Sequence, residues 1–280
     1  MRDEVNKDDY ISTSHSKIFS LIGAGPWACK LAKSFSEHVR IKSVVTTGNK
    51  SNLAKIRQIV PNINASTIED VLADAEIDAV IIATSIESLG DIAIRCLQSK
   101  KHVFLEKPGA SNSEQVKQIK DVKGDKVCLV NYSYLADPSY LKFKQAISNK
   151  KITDASFVWH KWGTFNNDII MNLFSHDAAM LIDCLGITPI KKYAKTGDDF
   201  CKLQLDCGSF VASIDIDRKK EKKLKMATFK SFSESFIWQP GCKDLIGLQR
   251  NKFLKHISIN DGYDNLHLAN DVLSLIKEAR

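Results

Sequence analysis

A lysine set between a glutamate and a proline is the side chain of this sequence best suited to proton transfer. Lys107 follows the apolar segment Val103–Leu105 and stands between Glu106 and Pro108. If that segment is a buried strand, Lys107 lies at its carboxyl end, where open α/β sheets bind ligands. It could hold a substrate hydroxyl, and act as a base once burial or other cations lower its pKa. Taken alone, the segment is more simply interpreted as a surface lysine before a loop.

Asn172 and His176 form a second candidate pair. On an α-helix, residues four apart share a face, so both side chains could point together into a cleft. Histidine titrates near neutrality and suits proton transfer to or from a substrate hydroxyl. A lone helical histidine is more often structural, so both roles stay open. No group of His, Cys, Asp and Glu has metal-ligand spacing, and we predict no metal site.

A glycine-rich turn upstream is typical of a dinucleotide site. Gly23 would permit a tight turn after the first apolar strand, and Gly25 would let the backbone approach a pyrophosphate. Pro26 and Trp27 follow, and Ala28 replaces a third glycine where helix packs on strand. The phosphates would lie at the positive end of the helix dipole. A strand–helix turn that binds nothing is the alternative.

The segment after the second predicted strand bears on the choice of cofactor. An acidic residue at this place commonly binds the ribose hydroxyls of NAD. This chain has no acid there and offers Thr47 and Lys50 instead. A hydroxyl and a cation would accept a 2′-phosphate that a carboxylate would repel. The expected cofactor is therefore NADP or NAD, with NADP preferred, unless Lys50 is an ordinary exposed loop residue.

The hydrophobic pattern predicts two domains that position these residues. Residues 1–16 are polar and predict a disordered leader. Over residues 17–130 apolar strands alternate with helices, which predicts an α/β Rossmann dinucleotide-binding domain with a parallel sheet. Over residues 131–280 helices and alternating strands, clearest at Ser209–Asp217, predict an α+β substrate-binding domain with a mostly antiparallel open sheet. A helix over residues 266–278 closes the chain.

Composition argues against other classes of protein. The chain has 280 residues and a formal net charge of +7, which could attract an anionic substrate or be an inert basic surface. Its seven cysteines are scattered, with no Cys-x-x-Cys pair, as in a reducing cytoplasm. No apolar run approaches the ~18 residues of a membrane span, and we expect no membrane partner. The basic segment 218–223 has no interleaved aromatic residues, so we expect no nucleic-acid partner.

Four motifs in order resemble the Gfo/Idh/MocA oxidoreductases, which include glucose-fructose oxidoreductase and inositol dehydrogenase. They are Gly23-x-Gly25-x-x-Ala28, then Ala83-Thr84, then Glu106-Lys107-Pro108, then His176. The resemblance implies a Rossmann domain that binds NAD or NADP through these turns, followed by an open-sheet domain. It also implies that Lys107 is the catalytic lysine and that Glu106 lies beside the nicotinamide ribose. Pro108 would shape the turn after a cis peptide bond, and His176 would be the active-site histidine.

The resemblance also implies an activity and a departure from it. Family members transfer hydride between nicotinamide and a hydroxyl or keto carbon of a sugar, cyclitol or nucleotide sugar. Their open sheet commonly forms the oligomer interface, which predicts a homodimer or homotetramer. Family enzymes usually carry aspartate where this chain has Asn172, and an amide can orient the imidazole of His176 but cannot stabilise its cation. A non-catalytic dinucleotide- or sugar-binding regulatory protein of the same fold is the alternative.

Overall fold

The computed structural model describes residues 17–161 and 168–280, so the predicted leader lies outside the described residues. The chain divides into two compact units. The first contains the described residues up to Asn131 together with Ile246–Leu266, and the second contains Tyr132–Leu245 and His267–Arg280. Within the described ranges, no helix has the length and apolar character needed to cross a membrane.

The first unit is built on a six-stranded sheet, confirming the predicted Rossmann domain. The strand order is β3-β2-β1-β4-β5-β6, and every neighbouring pair is parallel. The chain thus builds outwards from β1 in one direction and then starts again from β4 in the other, so the order reverses between β1 and β4. The strands are β1 (Ile18–Ile22), β2 (Arg40–Val45), β3 (Asn64–Ser66), β4 (Ala79–Ile82), β5 (His102–Glu106) and β6 (Cys128–Asn131).

Helices connect the parallel strands of this sheet. They are α1 (Pro26–Ser36), α2 (Lys50–Ile59), α3 (Ile68–Ala73), α4 (Ile86–Gln98) and α5 (Ser113–Lys123). Helix α1 starts with proline because that position needs no amide hydrogen and suits the fixed φ of proline. It buries Ala28, Leu31, Ala32 and Phe35, whose helical spacing forms one apolar face. That face anchors the glycine turn to the sheet.

The second unit contains a six-stranded mixed sheet with the order β12-β11-β7-β10-β9-β8. Only the β7–β10 pair is parallel among these neighbours, so the predicted, mostly antiparallel sheet is confirmed. Its strands are β7 (Ile152–His160), β8 (Ile190–Thr196), β9 (Phe200–Asp206), β10 (Val211–Asp217), β11 (Leu224–Ser231) and β12 (Ser235–Trp238). Two helices accompany them, α6 (Pro138–Ile147) and α7 (Ser175–Leu185).

The last two helices are α8 (Leu245–Ile259) and α9 (Leu266–Ala279). Helix α9 agrees with the helix predicted from residue 266, but α8 has no counterpart in the sequence prediction. Its side chain Phe253 packs edge-on against Phe19 and Phe104, at ring-centroid distances of 6.1 and 5.5 Å. These contacts place Ile246–Leu266 with the first unit, whereas the sequence assigned all of residues 131–280 to the second domain.

Candidate active site

The ends of four parallel strands align along one edge of the first sheet. Ile22 of β1 pairs with Ile82 of β4, which in turn pairs with Leu105 of β5. The residues that follow, Gly23, Ala83 and Glu106, therefore form a row along the carboxyl edge, and Asn131 of β6 pairs with Glu106 at its end. Ligands of open α/β sheets bind at this edge, where the strand order reverses.

The row brings two of the predicted cofactor motifs into contact. Gly23 has φ +110° and approaches the backbone of Ala83 and Thr84 so closely that a Cβ atom would collide with the Ala83 carbonyl. Its amide donates to the Val45 carbonyl of β2 at 2.9 Å. The glycine turn is therefore fixed to the strands on both sides of β1, which requires glycine at residue 23.

The second glycine of the turn leaves room for a ligand. A Cβ atom on Gly25 would meet nothing within 4 Å, in contrast to Gly23. Gly25 is also the N-cap of α1, where no side chain caps the helix and no acidic residue lies in the first turn. The free space and the positive end of the helix dipole suit a pyrophosphate. The residues present thus fit a bound dinucleotide, which Gly23, Gly25, Pro26, Trp27 and Ala28 would hold.

Glu106 is a buried carboxylate held by two neutral donors. It is 7% exposed and accepts a hydrogen bond from Asn131 Nδ2 at 2.7 Å. The indole of Trp27, in the first turn of α1, donates a second hydrogen bond to it. Burial raises the pKa of Glu106, while these two hydrogen bonds and the Lys107 cation oppose that rise. Sequence reasoning missed Asn131, although it is the polar end of an apolar strand beside β5.

Lys107 lies at the end of β5, half-buried, and is joined to Pro108 by a cis peptide bond, as the resemblance implied. Burial lowers its pKa to about 8, and the Glu106 carboxylate opposes that fall. At neutral pH a lysine with this pKa has a minor neutral fraction that can accept a proton. The predicted surface-lysine alternative does not describe this environment.

The residues predicted to select NADP follow β2 on the exposed side of the same edge. Thr47 is exposed, and Lys50 is the exposed first residue of α2. Asn49 is engaged as the N-cap of α2, where its Oδ1 accepts from the Asn52 amide at 3.1 Å. No acidic side chain stands in this segment, so nothing in it opposes a 2′-phosphate.

The second unit contains the other two predicted catalytic residues. His176 is half-buried in the first turn of α7, and its ring lies 5.3 Å from Tyr134 and 5.4 Å from Trp159. Asn172 lies in a π-helical turn, Ile170–Phe174, rather than in the α-helix predicted from residue 171. The four-residue spacing that predicted a shared face therefore does not apply across this turn, which is a correction to the sequence prediction. π-turns often occur at functional sites.

A buried ion pair beside His176 was not predicted. Asp177 Oδ1 accepts from Lys225 Nζ, and both side chains are fully buried. The ammonium also lies 3.7 Å from the centre of the Trp159 ring that contacts His176. Burial raises the pKa of Asp177 and lowers that of Lys225, while their mutual attraction opposes both shifts. The alternation of β11, in which Ala227 also faces inwards, was the available signal for Lys225.

Two further observations concern metals and thiols. Over residues 17–161 and 168–280, no three His, Cys, Asp or Glu side chains are grouped so as to hold a metal ion. All seven cysteines are free thiols, and burial raises the pKa of Cys96 and Cys128 to about 12. These two cysteines are therefore protonated apolar core residues.

The site and fold agree with known oxidoreductases. Residues 18–134 match the Gfo/Idh/MocA family, described as an oxidoreductase family with an NAD-binding Rossmann fold. These residues therefore form the NAD-binding domain of a Gfo/Idh/MocA oxidoreductase, and the resemblance predicted from the sequence is confirmed.

Curated relatives match part of the chain. Myo-inositol 2-dehydrogenase of Thermotoga maritima is 29% identical over 85 residues, which are 30% of this chain and 25% of the relative. Inositol 2-dehydrogenase of Rhizobium meliloti is 27% identical over 142 residues, which are 50% of this chain and 43% of the relative. The matched segments thus span less than half of these relatives.

A solved structure extends the likeness to the whole fold. GenD2 from gentamicin A biosynthesis, in complex with NAD, has a TM-score of 0.84 at 11% identity. The likeness covers 95% of this chain and 93% of that one. At this identity the comparison shows the fold, including the second unit that the family match does not reach.

Proposed function

We propose that this protein is an NAD(P)-dependent oxidoreductase that transfers hydride between nicotinamide and a hydroxyl or keto carbon of a sugar-like substrate. The observation that carries the proposal is the position of Lys107, beside buried Glu106 and on the sheet edge that also presents the Gly23–Gly25 turn. A base whose pKa is lowered to about 8 thus lies at the edge where the dinucleotide would bind.

The residues divide the proposed reaction between them. The dinucleotide, when bound, would accept or donate the hydride at nicotinamide C4. In the oxidative direction the Lys107 amine takes the proton from the substrate hydroxyl as the hydride leaves the same carbon. Lys107 returns that proton to the oxygen in the reductive direction. His176 assists at the substrate hydroxyl, and Asn172 orients its imidazole.

Cofactor and substrate class follow from separate observations. Thr47 and Lys50, without a carboxylate between them, support NADP over NAD, although GenD2 is in complex with NAD. The names of the curated relatives support a cyclitol, and the proposal extends to sugars and nucleotide sugars. We further propose a homodimer or homotetramer through the β7–β12 sheet, to be measured by light scattering of the purified protein.

The first test is a titration of the purified protein with NADPH and NADH, followed by nicotinamide fluorescence. Saturable binding of either, with NADPH preferred, is expected and would justify a screen of cyclitols, sugars and nucleotide sugars for turnover. Binding of neither would overturn the dehydrogenase proposal.

Lys107→Met tests the role of the lysine itself. Turnover should fall by about 10²–10⁴-fold, the range of general acid–base catalysis, with dinucleotide affinity nearly unchanged. Lys120→Met removes an exposed lysine of α5 and is the control, with activity expected to be retained. Equal loss of turnover and dinucleotide binding in Lys107→Met would show that Lys107 is structural. Dinucleotide binding without any turnover in the unaltered protein would favour a regulatory role.

A further inference from the structure

Trp27 occupies an unusual position for a residue of a phosphate-binding turn. It follows Gly25 and Pro26 directly, and 40% of its surface is exposed. Its indole nevertheless donates a hydrogen bond to Glu106, which is 7% exposed at the end of β5. The indole has one donor and no acceptor, so this contact uses its whole hydrogen-bonding capacity. One residue therefore belongs both to the dinucleotide turn and to the surroundings of the lysine.

The ring of Trp27 is held from its other side. Lys30 Nζ lies 4.4 Å from the ring centre, one helical turn further along α1. A cation over an indole face is attracted to the ring, which restrains the orientation of the side chain. The indole N–H is thus kept directed at Glu106 even though the ring is partly exposed.

Glu106 depends on its donors because it is buried. A carboxylate taken out of water is costly unless hydrogen bonds or opposite charges compensate it. Asn131 Nδ2 supplies one hydrogen bond at 2.7 Å, and Trp27 supplies another. Lys107 is the charged group that acts on Glu106, and Glu106 is the charged group that acts on Lys107. Any change in the carboxylate is therefore transmitted to the lysine.

We propose that Trp27 is a positioning residue that connects the dinucleotide-binding turn to Lys107, because its indole N–H holds the Glu106 carboxylate in place beside the lysine. The catalytic meaning of this connection rests on the proposed function, but the connection itself is a property of the first unit alone. Binding at the turn and the state of the lysine are then coupled through a single side chain.

The sign of the effect follows from the charges. Without the indole donor, the pKa of Glu106 rises further and its carboxyl group carries less negative charge beside Lys107. Burial then acts on Lys107 with less opposition, and the pKa of Lys107 falls below about 8. Removal of the indole donor should therefore make Lys107 easier to deprotonate.

The test is Trp27→Phe, which keeps an aromatic ring and removes the N–H. The readout is competitive labelling of Lys107 with acetic anhydride across pH, quantified by peptide mass spectrometry, which needs no substrate. The labelling midpoint of Lys107 should fall by roughly half a unit or more, a part of the 1–3 units that an adjacent opposite charge contributes. Lys30→Met keeps the N–H and serves as the control, with a smaller fall expected.

Glu106→Gln separates the proposed route from a general disturbance of the fold. Glu106→Gln should lower the midpoint of Lys107 by itself, and Trp27→Phe should add nothing in that background. If Trp27→Phe leaves the midpoint unchanged while Glu106→Gln moves it, the proposal is overturned. An equal shift from Trp27→Phe with and without Glu106→Gln would also overturn it. Absence of turnover would count against the proposed function and would leave the labelling result intact.

Discussion

The Ala83 carbonyl lies where a side chain on Gly23 would begin, so the ends of β1 and β4 touch through backbone alone. Gly23→Ala should therefore destabilise the first unit, because it adds a collision to a φ of +110° that alanine rarely adopts. We expect a loss of at least ~1–3 kcal/mol, measured as a fall in the thermal midpoint. Gly25→Ala is the matched comparison, since φ is −71° and the added Cβ meets nothing within 4 Å.

Gly25→Ala should keep the thermal midpoint and weaken dinucleotide binding by about 10-fold or more, because its Cβ would enter the space for the pyrophosphate. Fluorescence titration with NADPH measures this effect. Unchanged affinity in Gly25→Ala would place the phosphates elsewhere.

The pH dependence of turnover should report Lys107. With the pKa lowered to about 8, kcat/KM for alcohol oxidation should rise as pH increases through 8, because the neutral amine is the base. Ketone reduction should fall over the same interval, because the protonated amine is then the acid. Initial rates between pH 6 and pH 10 in both directions check this expectation. A profile without a transition near pH 8 would assign proton transfer to another group.

Asn172→Asp should retain or increase turnover. A carboxylate can orient the imidazole of His176 and also stabilise its cation, whereas the amide can only orient it. The measurement is kcat/KM against pH, with Asn172→Ala as the comparison that removes both effects. A collapse of activity in Asn172→Asp would mean that the site has been rebuilt around the amide.

The buried pair Asp177–Lys225 should be costly to break and easy to replace. Lys225→Met alone leaves a buried carboxylate without its cation, and Asp177→Leu alone leaves a buried ammonium. Each single change should lower the free energy of unfolding by ~3–5 kcal/mol, while the double change should cost much less than either. Urea unfolding of the four proteins gives the coupling energy. A double variant as unstable as the weaker single variant would contradict a simple ion pair.

His102 should make the first unit sensitive to acid. Its side chain is 8% exposed, and burial, then Lys126, lowers its pKa from 6.5 to about 4. Its Nδ1 accepts the Val127 amide hydrogen at 3.0 Å. Between pH 6.5 and about 4 the unfolded chain binds a proton here that the folded protein does not. The stability from neutral His102 is thus complete above pH 6.5 and is lost as the pH falls towards 4.

The loss should amount to ~2–3 kcal/mol, at about 1.4 kcal/mol for each unit of pKa shift. Urea midpoints at pH 7.5 and pH 4.5 measure it. His102→Asn, which keeps an acceptor for the Val127 amide and cannot be protonated, should reduce the difference between the two midpoints. An unchanged difference would assign the acid sensitivity to other groups.

The parallel sheet and its ligand edge were predictable because local patterns specify them. Apolar strands such as β5 must be buried on both faces, and the carboxyl ends of parallel strands meet at one edge, so Gly23 and Lys107 were placed correctly relative to the sheet. The indole–carboxylate contact between Trp27 and Glu106 joins residues far apart in sequence. No local pattern contains that information.

Other elements were missed because their side chains hide the usual periodicity. Helix α8 buries Gln249 and Arg250, and Arg250 donates to the Ser34 carbonyl at 2.6 Å, so its inward face does not look apolar. Strand β8 is exposed on both faces and shows no alternation. The π-turn containing Asn172 differs from an α-helix by one residue in one turn, which an apolar face does not reveal.

The return of α8 to the first unit affects the timing of its synthesis. Phe253, which packs between Phe19 and Phe104, leaves the ribosome 122 residues after Asn131, the end of β6. At ~5–20 residues per second, the nascent sheet waits on the order of ten seconds for its last aromatic side chain. During that interval apolar surface of β1 and β5 is open to chaperones and to other nascent chains.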